Sequence, residues 1–179
     1  MDRPAERRGS EELIHHPHRP IVLAGFMGSG KSAVAFAVAA LLGRSVVDLD
    51  RVVEHGAGDS VADIWHKEGE AGFRRREAEA LAEQLSGQVV VAVGGGALGN
   101  PRSLKLIKKS ATSFWLDAPL EVLWRRAGKD PSRPLAQDRA VFDQLHAARV
   151  AQYAKCDHRL DATRPVLELA KEVVRLCGD

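Results

Sequence analysis

The glycine-rich segment GFMGSGKS, Gly25 to Ser32, follows the apolar run PIVLA directly and leads straight into the apolar stretch AVAFAVAALLG. Few short segments restrict a fold so tightly. Gly25, Gly30, Lys31 and Ser32 satisfy GxxxxGK[ST], and the flanks supply the strand before and the helix after that the pattern requires. Small residues let the main chain curl so that successive N–H groups point inward, at the positive end of the helix dipole. A polyphosphate is the ligand such a curl fits. Gly28, Ser29, Gly30, Lys31, Ser32 and Ala33 are therefore the candidate nucleotide contacts. Lys31 would bridge the β and γ phosphates, and the Ser32 hydroxyl would ligate Mg²⁺.

The rest of the chain supports a strand–helix alternation. IVLAG (21–25), SVVDL (45–49), QVVVAV (88–93), TSFWL (112–116) and HRLDA (158–162) read as strands, the last with the weakest pattern. Between them, FRRREAEALAEQL sets Phe73, Ala80, Leu81 and Leu85 along one stripe, and PVLELAKEVVRLC does the same with Val166, Ala170, Val173, Val174 and Cys177. Alternating strands and helices predict parallel pairing through right-handed crossovers, with both sheet faces covered. The expectation is an α/β protein, a three-layer α/β/α sandwich on a five-stranded parallel sheet, with its ligand site at the strand carboxyl ends.

Composition narrows the setting. The 179 residues and 45% hydrophobic content suit one domain. Residues 1–19 are charged and contain only the Leu13–Ile14 apolar pair, so they read as a flexible tail. His15, His16 and His18 in that tail are not read as a metal site. A single domain then runs from 20 to 179. The net charge of +2 permits small anionic ligands and lacks the bias of a nucleic-acid binder. Cys156 and Cys177 form neither a CxxC pair nor a disulfide framework, no run is long enough for a membrane span, and no signal-peptide core is visible; a cytoplasmic protein is expected.

Two further clusters carry chemistry. In VVDLD, an extended reading places Asp48 and Asp50 on the same strand face, beside the phosphate loop. One carboxylate would serve the metal's water shell and the other would polarise an acceptor hydroxyl, since phosphoryl transfer depends mainly on positioning and charge neutralisation. Gly94, Gly95 and Gly96 would let backbone come close to a small ligand.

GFMGSGKS, DLD, GEAGFRRRE (69–77), VGGG, SRPL (132–135) and RVAQY (149–153) occur in the order and approximate spacing of shikimate kinases, which the chain resembles over nearly everything after the tail. The resemblance implies a phosphate-loop kinase fold and transfer of the ATP γ-phosphate to the 3-hydroxyl of shikimate, a step toward chorismate and the aromatic amino acids. Mg²⁺ is the implied ion and a monomer the implied state. Carried over by position, Asp50 resembles the acceptor-activating aspartate and Asp48 the one that organises Mg²⁺ through water. Arg74 and Arg149 resemble the pair that clasps the substrate carboxylate, a role suited to guanidinium forks. Glu77, one turn after Arg74, would hold that arginine. Gly94 to Gly96 correspond to the wall beside the ring. Arg75 and Arg76 read as a solvated helix face. GKDPSRPLAQD reads as a mobile lid over about 128–139, from which Arg133 would reach the transferring phosphoryl group. Arg126 and Arg164 resemble arginines bordering adenine, with Pro165 adding an apolar face. Lys31, Asp50 and Arg133 are thus the expected catalytic residues.

Other readings remain open at this level: another phosphate-loop kinase such as a gluconate kinase, a nucleotide-sensing module without catalysis, or a nucleic-acid-linked ATPase. The first has no need for two arginines aimed at a ring carboxylate beside Asp50, and the second would leave DLD and Arg133 idle.

Overall fold

A computed structural model describes residues 19–128 and 138–178. Five parallel strands form one sheet in the order β2-β3-β1-β4-β5: β1 Ile21–Ala24, β2 Ser45–Asp48, β3 Val89–Ala92, β4 Thr112–Asp117 and β5 His158–Asp161. The weakest strand pattern, at 158–162, does form β5. Its alternation is poor because β5 is an edge strand with only Leu160 fully buried. β1 is central and buried along its whole length, with Ile21 in register with both Val90 and Thr112.

The helices are α1 Lys31–Leu42, α2 Leu49–Ala57, α3 Val61–Gln84, α4 Pro101–Ser110, α5 Leu120–Ala127, α6 Arg139–Tyr153 and α7 Val166–Cys177, with a 3₁₀ turn at Ala97–Gly99. The connection β1–α1–β2 crosses the sheet in one direction. Those carrying α3, α4 and α6 cross in the other, so right-handedness puts α1 on one face and α3, α4 and α6 on the opposite face. α1 and α7 pack side by side. α7 buries Ala170, Val173 and Cys177 as its periodicity predicts, but Val166 stays exposed in the first turn and Leu169 joins the core instead. α3 breaks at Gly69 (φ 68°, ψ −176°), which separates a segment packed on α2 from one carrying Arg74 and Glu77.

This topology positions the site. β2, β3 and β1 are sheet neighbours, so the segments leaving their carboxyl ends emerge side by side: the aspartates, the glycine run and the phosphate loop. Three motifs spread over some seventy residues become one crevice floor. No helix among the described residues is long and apolar enough to cross a membrane.

Candidate active site

The phosphate loop holds itself open with its own groups. Lys31 Nζ donates to the carbonyls of Gly25 at 2.8 Å and Phe26 at 3.3 Å, so the ammonium already lies across the loop. Gly28 has φ 84°, and a Cβ there would sit 2.5 Å from the Leu123 carbonyl oxygen, so the loop is pressed against α5 where no side chain fits. Ser32 and Ala33 lie exposed in the first turn of α1.

The aspartates differ from the sequence expectation. β2 ends at Asp48, whose extended backbone (φ −91°, ψ 112°) caps α2, with the carboxylate accepting from the Arg51 N–H at 3.4 Å. Asp50 therefore lies in the first turn of a helix and not on a strand face. Asp48 is a strong N-cap residue, and Leu49 must be fully buried, so the chain turns before the alternation can continue. The two acids still interact. Burial raises the pKa of Asp50 above its usual value, and the negative charge of Asp48 adds to the rise, while Lys31 and Arg74 pull it down.

Each residue of the glycine run makes room for charged side chains. A Cβ on Gly94 would lie 2.7 Å from Asp50 Oδ1 and 3.1 Å from Glu77 Oε1. On Gly95 it would lie 2.5 Å from Arg149 Nη1, and on Gly96 it would collide with the Arg74 guanidinium. Asp50, Arg149 and Arg74 are thus brought from α2, α6 and α3 to three successive backbone positions.

Arg74 is fixed by Glu77, as the spacing predicts: Nη1 donates to Oε2 at 2.7 Å. Glu77 is fully buried, its pKa is raised by desolvation against the opposing pull of Arg74, and its Oε1 has no hydrogen-bond partner among the described residues. The rings of Phe73 and Trp65 flank the Arg74 guanidinium at 5.2 and 5.8 Å. Arg75 and Arg76 both turn toward Glu68. Arg76 is the closer, at 2.6 Å, so only Arg75 is largely solvated.

Two supporting residues have no assigned role in the sequence reading. Tyr153 lies one turn after Arg149 and is buried; its hydroxyl donates to the Gly95 carbonyl at 2.7 Å, tying α6 to the glycine run. Asn100 Nδ2 donates to the Arg74 carbonyl at 3.0 Å. The first had a signal in its i+4 spacing from Arg149; the second lay hidden because its partner is 26 residues away.

At the far end, Arg126 Nη1 donates to the Ala162 carbonyl at 2.8 Å, and Arg164 is ion-paired with Glu172. Arg126, from α5, therefore reaches the β5–α7 turn that carries Arg164. Arg133 lies outside the described residues, as do most of the expected lid and His15, His16 and His18.

The phosphate loop thus lies beside a half-buried aspartate and two arginines set against the glycine run. The family profile described as "Shikimate kinase" matches residues 27–177. A curated shikimate kinase of Symbiobacterium thermophilum is 45% identical over 144 residues, covering 77% of this chain and 83% of its own. The chain belongs to the shikimate kinase family. Another member, from Paramagnetospirillum magneticum, is 40% identical over 154 residues, 84% of this chain and 79% of its own. Among solved structures, the shikimate kinase of Acinetobacter baumannii in complex with shikimate superposes with a TM-score of 0.80 at 32% identity, covering 88% of this chain and 92% of that one. A gluconokinase from Sinorhizobium meliloti, at 20% identity and a TM-score of 0.60, shares the fold. Membership in the shikimate kinase family makes this an ATP-dependent kinase and a transferase of the shikimate pathway.

Proposed function

We propose that the protein transfers the γ-phosphoryl group of ATP to the 3-hydroxyl of shikimate, giving shikimate 3-phosphate and ADP. The observation that carries this reading is the convergence of Asp50, Arg149 and Arg74 on Gly94, Gly95 and Gly96, beside the phosphate loop. A rigid cyclic acid with a hydroxyl at its opposite side matches that polarity: carboxylate toward the two guanidinium groups, hydroxyl toward Asp50.

In the proposed reaction Gly28 to Ala33 cradle the polyphosphate, and Lys31 follows the β and γ oxygens as charge moves between them. Asp50 accepts the proton of the attacking hydroxyl while the γ-phosphorus–bridging-oxygen bond of ATP breaks and the new oxygen–phosphorus bond forms. Its raised pKa suits a general base, because a carboxylate with an ordinary pKa holds a transferred proton weakly. Arg74 and Arg149 orient the ring through its carboxylate, with Glu77 and Tyr153 fixing the two arginines. Arg133, in the segment outside the described residues, is assigned to the transferring phosphoryl group, and Arg126 and Arg164 to the adenine edge.

The ion proposed to accompany ATP is Mg²⁺. A Ser32 hydroxyl and an Asp48 carboxylate are the hard oxygen donors it prefers, and the crowding of Asp48 against Asp50 is the kind of excess negative charge a cation offsets. When bound, it neutralises charge on the β and γ phosphates.

The test is a coupled ADP-release assay with shikimate against quinate, which lacks the ring double bond. Saturable ADP release with shikimate and far weaker release with quinate supports the reading. Equal release with both, or none with shikimate, rejects it.

A further inference from the structure

A cavity of about 630 Å³ opens beyond the Arg74–Arg149 pair, between α3, the start of α4 and α6. Among the described residues, four arginines line it, Arg74, Arg75, Arg102 and Arg149, against a single acid, Glu70. They are not equivalent. Arg74 is committed to Glu77 at 2.7 Å, and Arg75 leans to Glu68 at 3.3 Å with 60% of its side chain exposed. Arg102 and Arg149 have no carboxylate within ion-pairing distance among the described residues. Among the described residues the cavity thus holds two arginines without a directly paired carboxylate: Arg149 deep against the glycine run, and Arg102 exposed at the mouth.

Arg102 is kept at that mouth by Asn100. The Asn100 side-chain oxygen accepts from the Arg102 N–H at 3.0 Å, and its nitrogen donates to the Arg74 carbonyl at 3.0 Å. One amide therefore links the start of α4 to the backbone of the inner arginine.

We infer that Arg102 is an outer docking point for the acceptor's carboxylate, a positioning residue that draws the anion into the cavity before Arg74 and Arg149 clasp it. The inference rests on the proposed carboxylic-acid substrate and adds a residue to its recognition. An exposed charge attracts an incoming anion over about 10 Å at 0.1 M salt and over about 30 Å at 0.01 M. Once the acid is seated, its carboxylate belongs to the inner pair, so Arg102 acts on capture and not on the chemical step.

The experiment measures kcat and KM for shikimate at saturating ATP, at low (about 0.01 M) and high (about 0.5 M) ionic strength. Arg102→Gln should lower kcat/KM roughly two- to threefold at low salt and hardly at all at high salt, with kcat and the KM for ATP unmoved. Arg102→Glu should lower it further, by roughly five- to tenfold at low salt, and Arg102→Lys should restore the wild-type salt slope. Equal salt slopes in wild type, Gln and Glu variants would overturn the inference, and so would a loss that persists at high salt, which marks a packing role. Absence of shikimate-dependent ADP release from the wild type would overturn the substrate reading first and the inference with it.

Discussion

The proposed nucleotide half and the proposed acceptor half of this site are built on opposite plans. The nucleotide half is local: one contiguous segment after β1 provides the curl, the lysine and the helix start, and Lys31 is already satisfied by carbonyls of its own loop. The acceptor half is assembled from α2, α3, α6 and the turn after β3, and it keeps its charges under tension. Asp50 and Glu77 are both pushed toward protonation by burial, and Glu77 Oε1 lacks a partner among the described residues. A local site binds a ligand common to many enzymes, whereas a site gathered from distant segments defines which acceptor enters.

The comparison breaks most severely at Asp50. Asp50→Asn should lower kcat by roughly a thousandfold in the ADP-release assay, the scale expected for a lost general base. The same substitution should raise the melting temperature at pH 7. Because the folded-state pKa lies above the unfolded value, the folded protein binds the proton more tightly. The stability this contributes is complete below the unfolded pKa and is lost as pH rises through the folded one. Asparagine cannot ionise, so it avoids that loss; a lower melting temperature would contradict the assignment. In kinetics the raised pKa moves the acid limb of kcat/KM above the ordinary aspartate range, and the pH profile checks it.

Lys31→Ala should follow, costing roughly a hundredfold or more in kcat/KM for ATP, as for other lost charge-stabilising groups, while shikimate binding by calorimetry stays close to wild type. Gly96→Ala tests the other half. Its methyl group would displace the Arg74 guanidinium, raising the KM for shikimate by roughly ten- to a hundredfold with little change in the KM for ATP. Glu77→Gln is the mildest. It keeps a hydrogen-bond acceptor for Arg74 and removes the charge, so the KM for shikimate should rise by roughly fivefold, read from the same assay. A substitution in one half that moved both substrates' KM values equally would erase the distinction between them.

The same contrast explains what the sequence discloses. The phosphate loop is legible because strand, glycines, lysine and helix are contiguous, and the parallel sheet follows from five apolar runs with helical spacers. Arg74, Arg149 and the glycine run are each visible, and the resemblance to a family joined them; no local pattern says that Gly96 must yield space to Arg74. Asp48 and Asp50 mislead because alternation in VVDLD looks extended, whereas capping by Asp48 and burial of Leu49 end the strand one residue early. Asn100 is invisible because its partner is 26 residues away.

In the proposed reaction the two guanidinium groups hold the acceptor by its carboxylate so that its hydroxyl meets Asp50. The most direct measurement is the ratio of kcat/KM for shikimate to that for its methyl ester, in wild type and in Arg74→Ala. The ratio should be roughly a hundred or more in wild type, collapsing to within a few-fold in the variant, as expected when charge-assisted, paired hydrogen bonds are lost. A wild-type ratio near unity, or one that Arg74→Ala leaves unchanged, would contradict it.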